Sequence, residues 1–189
     1  MNAVSKNLTV FFIFIIMFSI QGSIQGFLQN ITFDKEANLY LPYLVYLPHG
    51  VRIIALITYG SIVIPGLYLA GLTTLFLRIG SIENVMQFDF NLLITFGSPL
   101  MSIIAVWLAI TLIYKKIKIE EYDIRIPLIL KITFLSALLN AVLSNIFRYL
   151  FLADYQDLVN NIVFYFVGDS IGSLILFSFF ALINRSLKD

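Results

Sequence analysis

Three side chains that can carry charge lie inside otherwise apolar stretches of this 189-residue sequence. His49, the one histidine, and Arg52 fall in residues 47–53, which read LPHGVRI. Asp169 lies in a second apolar stretch, residues 167–175, which read VGDSIGSLI. Imidazole, guanidinium and carboxylate groups in such places can hold a ligand, hold a proton or pair with one another. A lone charge at the centre of a bilayer costs at least about 2.5–3.5 kcal/mol.

The composition is that of an integral membrane protein. Hydrophobic residues make up 60% of the chain and charged residues 12%, with a mean hydropathy of +0.94. Soluble domains carry about 25% charged residues. The formal net charge is +1, with no basic arm or acidic tail, so nothing indicates a nucleic-acid partner. Cysteine is absent, which excludes disulfides, thiolate metal sites and thiol catalysis.

Apolar runs of membrane length predict an all-α fold, a polytopic integral membrane helix bundle. A transmembrane helix needs about 20 mainly apolar residues. We therefore expect about six transmembrane helices in a single domain that covers residues 1–189. The predicted helices lie at about 8–28, 40–59, 61–78, 91–113, 126–152 and 160–183.

The first segment also has features of a cleaved signal peptide. Lys6 precedes an apolar core at residues 8–18, and the small and polar run SIQGSIQG follows at 19–26. The apolar stretch then resumes through Phe27 and Leu28, and no A-x-A-like site is present. We expect the segment to be retained as a helix, with cleavage as the alternative.

The distribution of lysine and arginine predicts the orientation. Six helices with the N-terminus inside place eight basic residues on the cytoplasmic side and three outside, in agreement with the positive-inside rule. Both termini are therefore expected in the cytoplasm. The eight are Lys6, Lys115, Lys116, Lys118, Arg125, Lys131, Arg185 and Lys188, and the three are Lys35, Arg78 and Arg148.

Polar residues recur every four positions along four of the segments. Residues four apart share one face of a helix, so each set predicts a polar stripe that faces the bundle interior. One interpretation is hydrogen bonding between packed helices, at roughly 0.6 kcal/mol per bond. The other is a hydrated cavity for a small polar ligand. The stripes are Asn161, Tyr165, Asp169 and Ser173; Ser136, Asn140, Ser144 and Arg148; Asn91, Thr95, Ser98 and Ser102; and Gln21, Gln25 and Gln29.

Arg52 and Asp169 are predicted to form a buried ion pair, with His49 one turn from Arg52. At a rise of about 1.5 Å per residue, His49 and Asp169 lie at similar depths below the outer ends of the second and sixth segments. Helical side chains lean toward their own N-terminus, which brings Arg52 toward that depth as well. Such a pair either fixes the packing of two helices or lines a ligand or proton site.

Proline and glycine predict the shapes of three helices. Pro48 and Gly50 inside the second segment predict a bend or an unwound turn beside His49 and Arg52. The freed backbone groups there would suit an anionic ligand group. Pro65 and Gly66 begin the third segment, where a first-turn proline costs little. Gly22 with Gly26, and Gly168 with Gly172, are GxxxG pairs that favour close helix packing.

Motifs for catalysis or for cofactor binding are absent from the sequence. It contains no P-loop, no G-x-G-x-x-G and no H-E-x-x-H. One histidine and no cysteine leave no ordinary zinc or haem ligand set, and no second histidine exists for a catalytic triad. We expect no enzymatic activity, no cofactor and no metal site.

Three short stretches together resemble a known family. LPHG at 47–50, IPGLYLAG at 64–71 and VGDSIGSLI at 167–175 are similar to bacterial membrane-associated sensor (MASE) domains of the first type. Such domains usually precede a diguanylate cyclase, phosphodiesterase or histidine kinase, and are presumed to sense a small molecule. The chain has fewer predicted helices and ends at Asp189, so the resemblance implies a stand-alone short version. The matching positions are Pro48, Gly50, Pro65, Gly66, Gly71, Gly168, Asp169 and Gly172.

The predicted function is therefore a sensory or ligand-binding module of the bacterial cytoplasmic membrane that signals through a separate protein. Its expected partners are the lipid bilayer, a small anionic or polar ligand, and a separate signalling or transporter subunit. Two alternatives stay open. One is a small transporter or the substrate-binding subunit of a transporter. The other is a structural assembly protein whose polar stripes only join helices.

Overall fold

The computed structural model describes residues 1–31, 45–79, 92–116, 126–152 and 157–186, and every element within them is helical. Large apolar side chains are exposed along the helices, as expected where they face lipid. The helices are α1 (Ala3–Ile31), α2 (Leu47–Tyr59), α3 (Ile64–Ile79), α4 (Leu92–Lys116), α5 (Ile126–Phe151) and α6 (Leu158–Ser186), with a 3-10 turn (Gly60–Val63) between α2 and α3.

Five continuous stretches of the described residues are long and apolar enough to cross a membrane, so the chain is a multi-pass membrane protein. The second stretch, Leu47–Leu77, contains both α2 and α3, which the sequence predicts as separate helices. As one straight helix its 31 residues would rise about 46 Å, well beyond a hydrocarbon thickness of about 30 Å. The 3-10 turn instead divides it.

The turn between α2 and α3 is held by α1. Gly60 ends α2 with φ 68° and ψ −158°, a backbone region that only glycine enters readily. The side-chain amide of Asn7 donates to the carbonyl oxygen of Ile62 at 2.9 Å. Its Oδ1 accepts the backbone N–H of Gly66 at 2.6 Å. These two bonds satisfy backbone groups that the interruption of the helix leaves without partners.

Helices α2 and α3 form a hairpin alongside α1. Phe18 lies about three turns beyond Asn7 on α1. It lines one cavity together with Arg52 of α2 and Thr74 of α3. Both helices therefore run from the level of Asn7, at the turn, to the level of Phe18. The predicted division into two antiparallel segments describes the chain better than a single span does.

The sequence analysis predicted a bend or an unwound turn at Pro48, and this prediction is wrong. The α-helix begins at Leu47, so Pro48 lies in its first turn, where the missing N–H costs no hydrogen bond. A helix continuing through Pro48 would bring the proline ring against the carbonyl four residues earlier. Predicted residues 40–44 of this segment lie outside the described residues. Pro65 lies in the first turn of α3, as predicted.

The first turn of α2 is buried against α6 through glycine contacts. The backbone N–H of Tyr46 donates to the carbonyl oxygen of Gly168 at 2.9 Å. A Cβ on Gly172 would overlap the backbone of Tyr46, and one on Gly50 would lie 2.9 Å from the Leu176 side chain. The predicted GxxxG pair of α6 is thus where α2 approaches most closely. Gly50 is a packing glycine within a regular helix, not a hinge.

The helix directions place the start of α1 and the end of α6 at the same end of the bundle. Tyr46 and then Gly50 of α2 meet Gly168 and then Leu176 of α6, so α2 and α6 are parallel. Helix α1 is antiparallel to α2, since it begins beside the 3-10 turn. The start of α1 and the end of α6 therefore lie toward the same end of the bundle.

The remaining helices agree with the predicted ranges. Each of α1, α4, α5 and α6 begins and ends within five residues of its predicted limits. Several of the loop charges that support the predicted orientation, such as Lys35, Lys118, Arg125 and Lys188, lie outside the described residues.

Replacing Gly172 by alanine is expected to lower the free energy of unfolding by roughly 1–3 kcal/mol, as for other overpacked sites. The added Cβ would overlap the backbone of Tyr46, which cannot move aside as the end of a side chain can. Unfolding by sodium dodecyl sulfate in mixed micelles, followed by circular dichroism, measures the change.

Gly22→Ala is the matched control, because Gly22 is also a helical glycine of a GxxxG pair. A Cβ at Gly22 meets nothing within 4 Å, so we expect unchanged stability or a gain of up to about 1 kcal/mol. Equal losses in the two variants would contradict the close contact of α2 with α6.

Candidate functional site

His49 is fully buried in the first turn of α2 and contacts α5 and α6. Its Nε2 lies 3.0 Å from Ser136 Oγ. Its Nδ1 lies 3.5 Å from Asp169 Oδ2, within ion-pair distance but longer than an ordinary hydrogen bond. Ser136 Oγ also lies 3.1 Å from the backbone carbonyl oxygen of Thr133 and can donate to it.

Asp169 is 2% exposed, and its Oδ2 also contacts α5. Asn140 Nδ2 donates to Asp169 Oδ2 at 2.5 Å, and Ser144 Oγ donates to Asn140 Oδ1 at 2.9 Å. The predicted polar stripe of α5 therefore faces α2 and α6. We call Thr133, Ser136, His49, Asp169, Asn140 and Ser144 the His49 network.

The predicted ion pair between Arg52 and Asp169 is not formed. Asp169 contacts His49 and Asn140 instead, and Arg52 does not come within ion-pair distance of it. Three residues of α-helix separate His49 and Arg52 by about 60° around the helix axis. That angle turns His49 toward α5 and α6 and Arg52 toward α1, so one helix presents its two polar side chains to different neighbours.

Arg52 is 4% exposed and packs between two aromatic rings. Its guanidinium carbon lies 5.0 Å from the ring centre of Phe14 and 5.4 Å from that of Tyr46. Nη2 lies 3.4 Å from the hydroxyl of Tyr46. Nε and Nη1 are buried and have no hydrogen-bond partner among the described residues. Cation–π contacts offset part of the lost hydration and leave those two donors unsatisfied.

A cavity of about 80 Å³ opens beside Arg52 at the meeting point of five helices. We call it the Arg52 cavity. Two arginines line it, Arg52 from α2 and Arg148 from α5. The hydroxyl groups of Thr74 on α3 and of Ser98 and Ser102 on α4 line it as well. The lining residues are Phe18, Tyr46, Arg52, Gly71, Thr74, Leu75, Ser98, Pro99, Ser102 and Arg148.

Arg148 belongs to the cavity rather than to the outer interface alone, where the sequence analysis placed it. Its Nη1 donates to the hydroxyl of Tyr165, and its guanidinium carbon lies 4.8 Å from the Tyr165 ring centre. The four-residue spacing from Ser144 to Arg148 had indicated that Arg148 faces the bundle interior. Tyr46 carried no such signal, because it lies before the helix and outside every stripe.

The other predicted polar positions divide between the two sites and the helix contacts. Ser98 and Ser102 line the Arg52 cavity. Ser173 is buried opposite Gly50, with its Oγ unpartnered among the described residues. Gln21 and Thr95 are buried, and Gln25 and Asn161 are half-buried. Asn91 and the side chain of Gln29 lie outside the described residues.

The Arg52 cavity is lined by hydrogen-bond donors. The described residues contain no group of three or more histidine, aspartate or glutamate side chains that could hold a metal ion. Guanidinium and hydroxyl groups instead donate hydrogen bonds, and donors suit carboxylate or phosphate oxygens.

Comparison of the chain with protein-family models, with curated proteins and with solved structures finds no match. The resemblance to membrane-associated sensor domains therefore stays a prediction that depends on the short stretches quoted above.

Substituting Asp169 by leucine is expected to cost about 1–3 kcal/mol of stability. The amide of Asn140 and the imidazole of His49 would then face a hydrocarbon side chain, with no water to replace the lost acceptor. Asp169→Asn keeps one acceptor oxygen and should lose less. Unfolding by sodium dodecyl sulfate of the wild type, Asp169→Asn and Asp169→Leu, followed by circular dichroism, gives the order of their stabilities.

Asp157→Asn serves as the control for loss of a carboxylate. Asp157 is exposed before α6 with φ 55°, a conformation that asparagine tolerates. Its replacement should change stability by less than about 0.5 kcal/mol. An Asp169→Leu protein as stable as the wild type would contradict the His49 network.

Proposed function

We propose that this protein is a membrane-embedded binding module for a small anionic group, and that it reports occupancy to a separate signalling protein. The bound group enters the Arg52 cavity and takes hydrogen bonds from Arg52, and Arg148 also lines the cavity. The module works in the bacterial cytoplasmic membrane with both termini in the cytoplasm.

The unsatisfied guanidinium of Arg52 supports this proposal most directly. A charged side chain at membrane depth is costly, and natural proteins retain one there chiefly for function. Two aromatic rings and one hydroxyl meet part of that cost, whereas Nε and Nη1 have no partner among the described residues. Both nitrogens are closed off from the adjoining cavity in this conformation, so an anion there would bond to them only after the Arg52 side chain turns toward it.

The size of the cavity limits what can bind. Its 80 Å³ equals the liquid volume of about two or three water molecules. A carboxylate or phosphate group fits such a space, whereas a larger ligand would leave most of its atoms outside. Free anions and anionic lipid headgroups share this chemistry, and binding experiments in two lipid compositions separate them.

The sensory role draws on the resemblance to membrane-associated sensor domains. A small transporter would use the same site, because it too needs a buried anion-binding group. Flux distinguishes the two functions: liposomes containing a sensor should not accumulate labelled phosphate or acetate, whereas liposomes containing a transporter should.

Replacing Arg52 by glutamine is expected to weaken anion binding at least about 10-fold, since a hydrogen bond to a charged group contributes about 1.5–3 kcal/mol. Calorimetric titration with sodium phosphate and with sodium acetate, in nanodiscs of zwitterionic phosphatidylcholine, measures the affinity. Native mass spectrometry of nanodiscs that also contain phosphatidylglycerol detects a bound lipid by its mass.

Lys131→Gln removes the same charge from α5 at an exposed position outside the cavity. It should bind as the wild type does. Equal weakening in the two variants would indicate a general effect of net charge. If neither salt nor lipid binds the wild type, the proposed function is wrong and the assembly alternative gains weight.

Single cysteines are expected to label from opposite sides of the membrane according to helix direction. The chain has no native cysteine, so Ala3→Cys, Ser61→Cys and Asp157→Cys each carry one thiol at an exposed site. A membrane-impermeant maleimide on intact bacterial cells should label Asp157→Cys and spare the other two. Labelling of Ala3→Cys and Ser61→Cys from opposite sides would contradict the hairpin.

A further inference from the structure

We propose that His49, Asp169 and Ser136 form a proton-binding site inside the helix bundle, distinct from the Arg52 cavity. The three side chains come from α2, α6 and α5 and are at most 2% exposed. The cavity lining includes none of them, and anion binding by Arg52 does not require them.

Nδ1 of His49 has no hydrogen-bond partner among the described residues, and its contact with Asp169 Oδ2 is favourable only when one proton lies between the two atoms. Nδ1 and Oδ2 face each other at 3.5 Å, and two lone pairs without a proton between them would repel. Either His49 donates from Nδ1 to an ionised Asp169, or a protonated Asp169 donates to Nδ1. We therefore expect this first proton to stay between His49 and Asp169 whether or not Nε2 is protonated.

The network has room for a second proton at Nε2 of His49. Ser136 Oγ lies 3.0 Å from Nε2 and 3.1 Å from the carbonyl oxygen of Thr133, so its single hydroxyl proton can point at either acceptor. When Nε2 is bare, Ser136 donates to it. When Nε2 carries a proton, Nε2 donates to Ser136 and the hydroxyl turns to Thr133. Nε2 and the Ser136 hydroxyl stay hydrogen-bonded in both states.

The charged groups around the pair are few and can be named. Arg52 lies three residues from His49 on α2. Helix α5 carries two cations, the exposed Lys131 five residues before Ser136 and Arg148 eight residues after Asn140. The described charged side chains of the other neighbours of α2 lie toward helix ends, Lys6 on α1 over the Tyr59 ring and Lys115 on α4. Arg52 is therefore the charge best placed to influence the second proton.

Proton binding and anion binding should favour each other, a consequence that depends on the proposed function. The positive charge of Arg52 opposes a second proton on the neighbouring pair. An anion beside Arg52 offsets that charge, so the pair takes up a proton from solvent more readily. Reciprocity of binding free energies then requires that the protonated pair increase the affinity for the anion.

Nitrogen-15 NMR of the protein labelled only at histidine tests the proposal, because His49 is the one histidine and gives an unambiguous pair of ring signals. The first measurement is a pH titration in phosphatidylcholine nanodiscs without added anion. We expect Nε2 to be bare at high pH and protonated at low pH, with Nδ1 bonded to a proton or accepting one throughout. An Nε2 that never changes state while the protein stays folded would overturn the proposed site.

Two variants distinguish a proton site from a packing role. Ser136→Ala removes the hydroxyl that serves both states, so the pH at which Nε2 changes should differ from that of the wild type. Asp169→Asn should abolish the change in the same pH range, and circular dichroism verifies that each variant is folded. Wild-type behaviour in both variants would overturn the assignment of these side chains.

Sodium acetate and sodium phosphate, added at the wild-type midpoint and constant pH, test the link to the cavity. Each salt should move the Nε2 signal toward the protonated form in the wild type, and move it much less in Arg52→Gln. If the salts bind by calorimetry and the signal does not move, the link is wrong. If the salts do not bind but Nε2 still titrates, the proposed function fails and the proton site stands.

Discussion

The close approach of α2 to the glycine face of α6 positions the two polar side chains of α2, His49 and Arg52. A helix that begins inside a membrane bundle exposes backbone N–H groups that lipid cannot satisfy. Here the backbone of Tyr46 bonds to Gly168, and Gly172 leaves space for that backbone. A Cβ at Gly172 would overlap the backbone of Tyr46 and push α2 away, and His49 would then lie farther from Asp169.

One short helix thereby separates two kinds of polar environment. On one side of α2, imidazole, carboxylate, amide and hydroxyl groups form a chain of contacts of 2.5 to 3.5 Å from Ser136 to Ser144. On the other side, Arg52 meets aromatic rings and a small cavity, and two of its nitrogens have no hydrogen-bond partner among the described residues. Breaking one hydrogen bond of the His49 network without forming another would leave a buried polar group unpaired. On the cavity side, Arg52 borders a space of about 80 Å³ that is lined by a second arginine and by hydroxyl groups.

The sequence predicted the all-α membrane bundle and the polar stripes that hold Ser136, Asn140 and Asp169, because apolar length and four-residue spacing are local properties. It also indicated that His49 and Asp169 lie at similar depths. It paired Arg52 with the wrong partner, since the direction of a side chain around a helix depends on where the neighbouring helices pack. Pro48 was misjudged for a related reason: the same proline bends a helix in its interior and begins one at its first turn. Tyr46 was missed because residues before a helix follow no periodicity.

Asn7 has a consequence for the order in which the bundle assembles. The hairpin of α2 and α3 has a turn whose backbone groups at Ile62 and Gly66 are satisfied by a side chain of α1. Synthesis proceeds from the N-terminus, so α1 enters the membrane first and offers that amide when the hairpin arrives. The wall that Phe14 and Phe18 provide for Arg52 is then also in place before the helices carrying Arg148 and Asp169 are made. Removal of α1 after insertion would remove both the Asn7 hydrogen bonds to the turn and the side of the cavity that Phe18 forms.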